Sequence, residues 1–517
     1  MSHESRQPVL IANRGEIAIR IARTCRALGF PTVGVYSDAD RFAEHVRYCD
    51  HSYWIGGSSP SESYLNIERL IVAAKAAGAH YIHPGYGFLS ERAEFVEACQ
   101  KAGLVFVGPS ANSIRLMGDK ITARQTIDEL MVPRVPGSPG VLKDAEEAKK
   151  LASEMKYPVL LKAKAGGGGK GMRRVDSENE ILSAFEGATR EAQNAFGDGS
   201  LYIEKFILEP HHVEIQVFGD GKGKAIHLGE RECSIQRRHQ KVWEEAGAPI
   251  LNEFPETRKK MQEAAVRVAE HISYAGAGTF EFLVDKNGDF YFLEMNTRLQ
   301  VEHPVSEWVT GVDLVSWQLQ LASGEFHFPK QSPEMNGHSI EVRIYAEDPK
   351  SFLPAPGGIG KVLAPGGPFV RWDSAFTERG EVSMFYDPMI AKLSTWGRSR
   401  KEALSRLQVA LDEIELEPFK KPDGIQVGSL KTNLDFLKKL SRLDRVERGD
   451  TTTDLIDTSP ELKELDQSEI SKEAAIGLSL FQLLVESEGT RETESYVSES
   501  PWLMGFRQQI LKGKTHG

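Results

Sequence analysis

Residues 278–296 read GTFEFLVDKNGDFYFLEMN. Two runs rich in Phe, Leu and Val flank Asn287-Gly288, a dipeptide suited to the left-handed backbone of a two-residue hairpin turn. With Lys286 opposite Asp289, counting back pairs Phe282 with Leu293 and sets Glu281 across from Glu294 on one face of the sheet. Like charges directly opposite each other are destabilising, so the pair calls for a cation. Hard carboxylate oxygens suit Mg²⁺ or Mn²⁺ holding nucleotide phosphates, and Asn296 adds a third oxygen two residues on. A solvated sheet face accounts for the spacing alone equally well.

The next residues, TRLQVEHP, place Arg298, Gln300 and Glu302 at every second position, so that they share one side of an extended segment. A guanidinium and an amide are donors for a small planar anion, and a carboxylate beside them can take a proton. Bicarbonate matches all three. A structural ion pair between Arg298 and Glu302 is the plainer alternative.

Outward from this centre the chain changes character several times. The opening alternates PVLIA, a helical pattern with Ile17, Ile21, Cys25 and Leu28 on one face, and PTVGVYS, which is β-α-β. The fold class is therefore α/β, with α+β parts further on, and residues 1–118 form a Rossmann-like domain. Its first turn, NRGEIA, has one glycine and not G-x-G-x-x-G, which argues against dinucleotide binding. A second block spans 119–336, with Pro133, Pro136, Pro139, Gly137 and Gly140 as a hinge-like connector into a mobile lid at about 134–205. A polar passage at 329–337 leads to a third, α+β block at 337–442, opening on HSIEVRIYAED. The remainder, 443–517, is an acidic tail with one apolar helical stretch, AAIGLSLFQLLVES, and no readable role.

The totals exclude several classes. A chain of 517 residues with 40% hydrophobic and 26% charged residues is an ordinary globular protein of two to four domains. Its apolar runs, such as PVLLKA, are far shorter than the ~18 residues of a membrane span. No basic start with a long apolar run opens the chain, so the cytoplasm is the expected location and no membrane is a partner. A net charge of −11 makes nucleic acid an unsuitable partner. Four cysteines without C-x-x-C spacing read as buried thiols, not a zinc ribbon or a disulfide framework.

Other local features carry chemistry only in context. AKAGGGGKGM is no Walker A loop, because Gly171 follows Lys170 where Ser or Thr is required. Its backbone N–H groups can still fold over phosphates with Lys170 adding charge, although a flexible linker reads as well. Lys120 and Lys162 are candidates for phosphate contacts. RECSIQRRHQKVWEE is a cationic segment in an acidic protein, or a solvated basic loop. In SIEVRIYAED, Ile340, Val342 and Ile344 face inward, and Glu341, Arg343 and Tyr345 the other way. Lys156 in SEMKYPV lacks the Met-Lys-Met setting of a biotinylated lysine and reads as a surface residue.

Taken in order, HPGYGFLSE, AGGGGKGMR, HHVEIQV, RECSIQRRHQK, EMNTRLQVEHPVSE, RIYAEDP and FYDPMIAKL resemble the biotin carboxylase component of biotin-dependent acyl-CoA carboxylases, over about residues 8–440. The resemblance implies an ATP-grasp domain at 119–336 between the other two blocks. It implies that Glu281 and Glu294 hold Mg²⁺, with Lys120, Lys162 and His239 on ATP phosphates beneath Gly167, Gly168, Gly169 and Lys170. Glu204, His212 and Gln236 would surround the nucleoside, and Lys205 to Ile207 would line the adenine. Bicarbonate would rest on Lys241, Arg298, Gln300 and the backbone of Val301, with Glu302 as base and Arg343 stabilising the biotin enolate. Carboxyphosphate is the implied intermediate. The segment ELEPFKKPDGIQVGSLKTNLDFL is longer than the family's usual run, and no biotin-attachment domain is evident. The expected partners are thus a separate biotin carboxyl carrier protein and a carboxyltransferase subunit, in a homodimer or larger complex. Rival readings are an ATP-grasp ligase making an acylphosphate for an amine, and a non-catalytic assembly subunit; the latter would be expected to lose Glu281, Glu294, Arg298 or Glu302.

Overall fold

The structure is a computed structural model that describes residues 6–462 except 165–170, 238–239, 379, 421–427 and 429, and leaves the side chains of residues 120 and 121 undescribed. The expected tail helix around 478–485 lies outside the described residues, as do Gly167, Gly168, Gly169, Lys170 and His239.

The first block is the β-α-β unit that its alternation predicts. Strands β1 (Val9–Ile11), β2 (Thr32–Ser37), β3 (His51–Gly56), β4 (Tyr81–His83) and β5 (Val105–Phe106) form a parallel sheet in the order β3-β2-β1-β4-β5. The helix Gly15–Ala27 buries Ile17, Ile21 and Cys25, one residue per turn, against it. Val9 and Ile11 enter one apolar cluster and Leu10 another, so the sheet is covered on both faces, which explains its continuous apolar strands.

The second block opens with the helix Lys120–Glu129, capped by Asp119 accepting from Thr122 N at 2.8 Å. The strands β6 (Val159–Ala163), β7 (Met172–Val175) and β8 (Leu201–Lys205) form a small sheet in the order β7-β6-β8. With the helices Ala145–Met155 and Ile181–Phe196 it encloses its own apolar cluster, including Leu142, Val159, Leu161 and Ile203.

The chain then builds β9 (His211–Asp220), β10 (Ala225–Glu232), the short pair β11 (Gln236–Arg237) and β12 (Gln240–Lys241), β13 (Trp243–Ala246), β14 (Ala275–Val284) and β15 (Phe290–Asn296). The third block adds β16 (His338–Tyr345), β17 (Gly357–Leu363), β18 (Val370–Ser374), β19 (Glu381–Val382), β20 (Met389–Gly397) and β21 (Glu415–Pro418). One eight-stranded antiparallel sheet, β15-β14-β9-β10-β13-β16-β20-β18, runs through both blocks. The start of the longer segment after 414 is β21, which pairs with β17.

Three expectations need correction. The hairpin after β14 has a three-residue loop: Asp285 N donates to Asp289 O and Gly288, at φ +83°, donates to Asp285 O. Phe282 therefore faces Phe292, not Leu293. A register shift at Leu293 then restores Glu281 opposite Glu294. Residues 297–302 are not extended; they turn into the helix His303–Thr310, with Glu302 at its N-cap. Both faces of β16 are buried, so Glu341, Arg343 and Tyr345 point away from the apolar core but not into solvent.

The stretch 443–462, read from sequence as the start of a tail, packs Val446, Leu455, Ile456 and Leu462 into the core beneath β16 and β20. No helix among the described residues is long and apolar enough to cross a membrane. Because Leu455 is fully buried, Leu455→Ala should cost about 2–4 kcal/mol, read as an earlier chemical unfolding midpoint.

Candidate active site

Antiparallel registry sets four charged residues in one row across neighbouring strands. Glu294 on β15 faces Glu281 on β14, Glu281 faces Glu214 on β9, and Glu214 faces Arg231 on β10. Three carboxylates side by side cannot persist without cations. Arg231, fully buried, binds Glu214 at one end and also donates to Gln216, Ser306 and Thr279, so its guanidinium is well satisfied. Lys241, from β12, supplies the second cation. Its Nζ lies 2.7 Å from Glu214, 3.0 Å from Glu281 and 2.7 Å from Glu302.

These contacts set the proton affinities. Burial alone would raise Glu302, but Lys241, Arg343 and Arg231 outweigh it and hold the carboxyl well below its ordinary value. Glu281 is lowered in the same way by Lys241 and His212, whose Nε2 lies 3.2 Å away. Glu294, more exposed, is raised by burial and by the neighbouring Glu281 charge. Lys241 itself is pushed well above the ordinary lysine value because three carboxylates overcome its desolvation.

The opposed Glu281 and Glu294 on β14 and β15 fit a divalent cation: two carboxylates face each other across the strands, Glu281 buried and Glu294 exposed on the side from which a phosphate-bound metal would arrive. Asn296 stands beside the pair, two residues beyond Glu294. Its amide nitrogen donates to Glu281 at 2.8 Å, and its oxygen accepts from Arg298 at 2.9 Å. Among the described residues, His212, Glu214 and Glu281 also bring ligand atoms within 4.8 Å of one another, but Arg231 and Lys241 already engage Glu214.

Arg298 donates to Gln300 Oε1 at 2.9 Å and to Glu91 at 2.9 Å, so in place of the alternative Arg298–Glu302 ion pair it forms one reaching into the first block. Gln300 Nε2 is 3.3 Å from Glu281. Arg343 bridges Glu244 at 2.6 Å and Glu302 at 3.0 Å. Burial raises Glu244 to about 7 even though Arg343 opposes the shift. Glu91, Glu214 and Glu244 were not singled out from sequence. The available signal was an acid alternating with Val213, Ile215 and Val217 for Glu214, and the end of HPGYGFLSE for Glu91.

Lys162, Glu204 and Arg124 form a second cluster on the small sheet: Lys162 Nζ lies 2.5 Å from Glu204, and Arg124 pairs with the same carboxylate. Gln236 donates to Cys233 O, Lys205 to Lys156 O, and Ile207 is half-buried. Lys156 is exposed, as expected. Among the described residues of the cationic segment, Arg231 is in the core and Arg237 binds buried Glu347, so these two are not solvated loop residues. All four cysteines are free and buried. Beside Arg298 and Arg343 opens a cavity of about 460 Å³ whose lining includes Glu16, Tyr86, Val301 and Asp387. That size suits a small organic substrate.

Comparison with known proteins agrees with this geometry. Residues 5–114 match the biotin carboxylase N-terminal domain, 119–327 the carbamoyl-phosphate synthase L chain ATP-binding domain, and 341–458 the biotin carboxylase C-terminal domain. Biotin carboxylase 2 of Bacillus subtilis is 50% identical over 449 residues, which are 87% of this chain and 98% of that protein. The propionyl-CoA carboxylase alpha chain of Ruegeria pomeroyi is 46% identical over 87% of this chain and 67% of its own length. Among solved structures, a Campylobacter jejuni biotin carboxylase–β,γ-ATP complex aligns with a TM-score of 0.81 and 48% identity, covering 88% of this chain and 99% of that one. The biotin carboxylase domain dimer of Hydrogenobacter thermophilus 2-oxoglutarate carboxylase, with MgADP and bicarbonate, gives 0.82 and 44%, covering 90% of this chain and 100% of that one. Fold and site together define an ATP-grasp ligase. Within that class, the chain belongs to the biotin carboxylase family.

Glu16, in the cavity wall, offers a test of these electrostatics. Burial raises it from 4.5 to about 7, against the pull of Lys392. Between those values the folded protein holds a proton the unfolded chain has released, so the penalty of burying the carboxylate grows as pH rises from about 4.5 through 7. Glu16→Gln should therefore flatten the fall in Tm between pH 5 and pH 8 relative to the unsubstituted protein.

Proposed function

We propose that the chain catalyses ATP- and bicarbonate-dependent carboxylation of biotin on a separate carrier protein, through carboxyphosphate, as the first half-reaction of an acyl-CoA carboxylase. The observation that carries this reading is the convergence of Lys241, Glu302 and Arg343 beside the opposed Glu281 and Glu294. A metal-dependent ATP site and an acid–base site are thereby joined through one ammonium group.

Glu281 and Glu294 would hold Mg²⁺, which supplies charge neutralisation between the nucleotide phosphates. Lys120, Lys162, Lys170 and His239 serve the phosphates, and the glycines 167–169 cover them. Glu204, His212, Gln236 and the segment 205–207 serve the nucleoside. Bicarbonate lies on Lys241, Arg298, Gln300 and the Val301 N–H. As it binds it draws Lys241 away from Glu302, which raises the proton affinity of that carboxylate towards the range a general base needs. Glu302 takes the bicarbonate proton, a bicarbonate oxygen attacks the γ-phosphorus, and ADP leaves. Carboxyphosphate then breaks to CO₂ and phosphate, the phosphate takes the N1′ proton of biotin, and the enolate nitrogen attacks CO₂. Arg343 stabilises the negative charge of the enolate.

The relatives include chains of larger carboxylases, which supports two partners, a carrier protein and a carboxyltransferase subunit, in a homodimer or larger complex. Bicarbonate binding needs no carrier, so free biotin at high concentration suffices for a test. ADP release should accelerate only when bicarbonate and biotin are both present, and Glu302→Gln should abolish the acceleration. Turnover with bicarbonate that is indifferent to biotin but accelerated by an amine acceptor would favour the rival ligase. Arg343→Ala should lower turnover ~10²–10³-fold while ATP binding, followed by nucleotide titration, changes little.

A further inference from the structure

The turn carrying Gln300, Val301 and Glu302 belongs to no strand, so its peptide planes must be fixed by other means. The His303 backbone N–H donates to the Gln300 carbonyl oxygen at 3.3 Å, and two side chains without a role in the mechanism above add to this. His303 Nδ1 lies 2.8 Å from the carbonyl oxygen of Gln300, and Lys392 Nζ donates to the carbonyl oxygen of Val301 at 2.7 Å. A carbonyl only accepts, so the histidine proton sits on Nδ1. Nε2 is then the bare nitrogen, which matches its burial without a hydrogen-bond partner among the described residues and its 3.9 Å separation from Glu307. Burial, aided by Lys392, Arg20 and Arg371, keeps the ring neutral.

Geometry transmits these contacts to the anion site. In a trans peptide the N–H points opposite to the carbonyl of the same plane. Holding the Gln300 oxygen therefore aims the Val301 N–H, and drawing density from that oxygen makes the N–H a stronger donor. Lys392 acts on the following peptide, which leads directly into Glu302 at the helix N-cap. Lys392 is 1% exposed and reaches across from β20, where its register partners are Arg343 on β16 and Asp373 on β18. Glu16 lies 3.5 Å from its ammonium.

We propose that His303 and Lys392 are positioning residues for bicarbonate, clamping two successive peptides so that the Val301 N–H and the Glu302 carboxylate face the same anion. The inference rests on the reading of this turn as the bicarbonate site.

Steady-state kinetics decides it, with bicarbonate varied at saturating ATP and free biotin, and ATP varied at saturating bicarbonate. His303→Leu keeps bulk but has no donor, whereas His303→Asn returns an amide N–H near the place of Nδ1. His303→Leu should raise KM for bicarbonate about tenfold while KM for ATP stays within about twofold, and His303→Asn should recover most of the loss. Lys392→Met should show the same split. Equal losses in the two His303 variants, or KM values for ATP and bicarbonate that rise in step, would overturn the clamp. Should Lys392→Met fail to fold, the His303 pair decides alone. Turnover of the unsubstituted enzyme that ignores bicarbonate would instead overturn the functional reading, so the two failures are distinguishable.

Discussion

The placement of one ammonium group among Glu214, Glu281 and Glu302 is the constraint on which the rest of the site depends. Adjacent strands stand ~4.8 Å apart, so the row Glu294–Glu281–Glu214 packs negative charge at a density that a protein interior does not tolerate uncompensated. Arg231 neutralises one end permanently, since every contact it makes is within the core. Lys241 is different. It approaches from a short hairpin, retains some exposure, and holds carboxylates with which an anionic substrate would compete for the ammonium. On the proposed function, the same electrostatic demand that binds these strands together marks where a metal, a phosphate and a small anion would enter.

Much of this was legible in the amino-acid sequence because the signals are short-range. The β-α-β opening follows from alternating periodicity, and the acid pair from distance along one hairpin. The hairpin also shows how a correct pairing arises from a wrong path. A two-residue turn would align Glu281 with Glu294 directly; the three-residue loop shifts the register by one, and the irregularity at Leu293 shifts it back. Turn geometry depends on the left-handed Gly288 and on Asp285, whose carboxylate accepts from Asn287 N and Asp289 N, contacts that spacing does not reveal.

What escaped reading is long-range. Periodicity of two suggested that 297–302 continues as a strand, yet Pro304 at the start of a helix, with Glu302 as its N-cap, bends the chain there. Arg298 then meets Glu91, more than two hundred residues away, and Arg343 meets Glu244 across a strand pair. An acid that alternates with apolar residues looks like an exposed position until the sheet is seen to be covered on both sides. Strand β9 is the clearest case: nine of its ten residues are buried, and Glu214 is among them.

The walls of the cavity beside Arg343 come from the first block, from the turn at 298–301 and from the third block, with no contribution from the small β6–β8 sheet. That sheet carries its own apolar core and the Lys162–Glu204 pair. A drug-like compound lodged in the cavity would leave the nucleotide's own grip untouched. With Lys162 and Glu204 as the proposed nucleotide contacts, such an inhibitor would be noncompetitive with ATP, and resistance substitutions against it would fall on lining residues such as Tyr86 and Asp387.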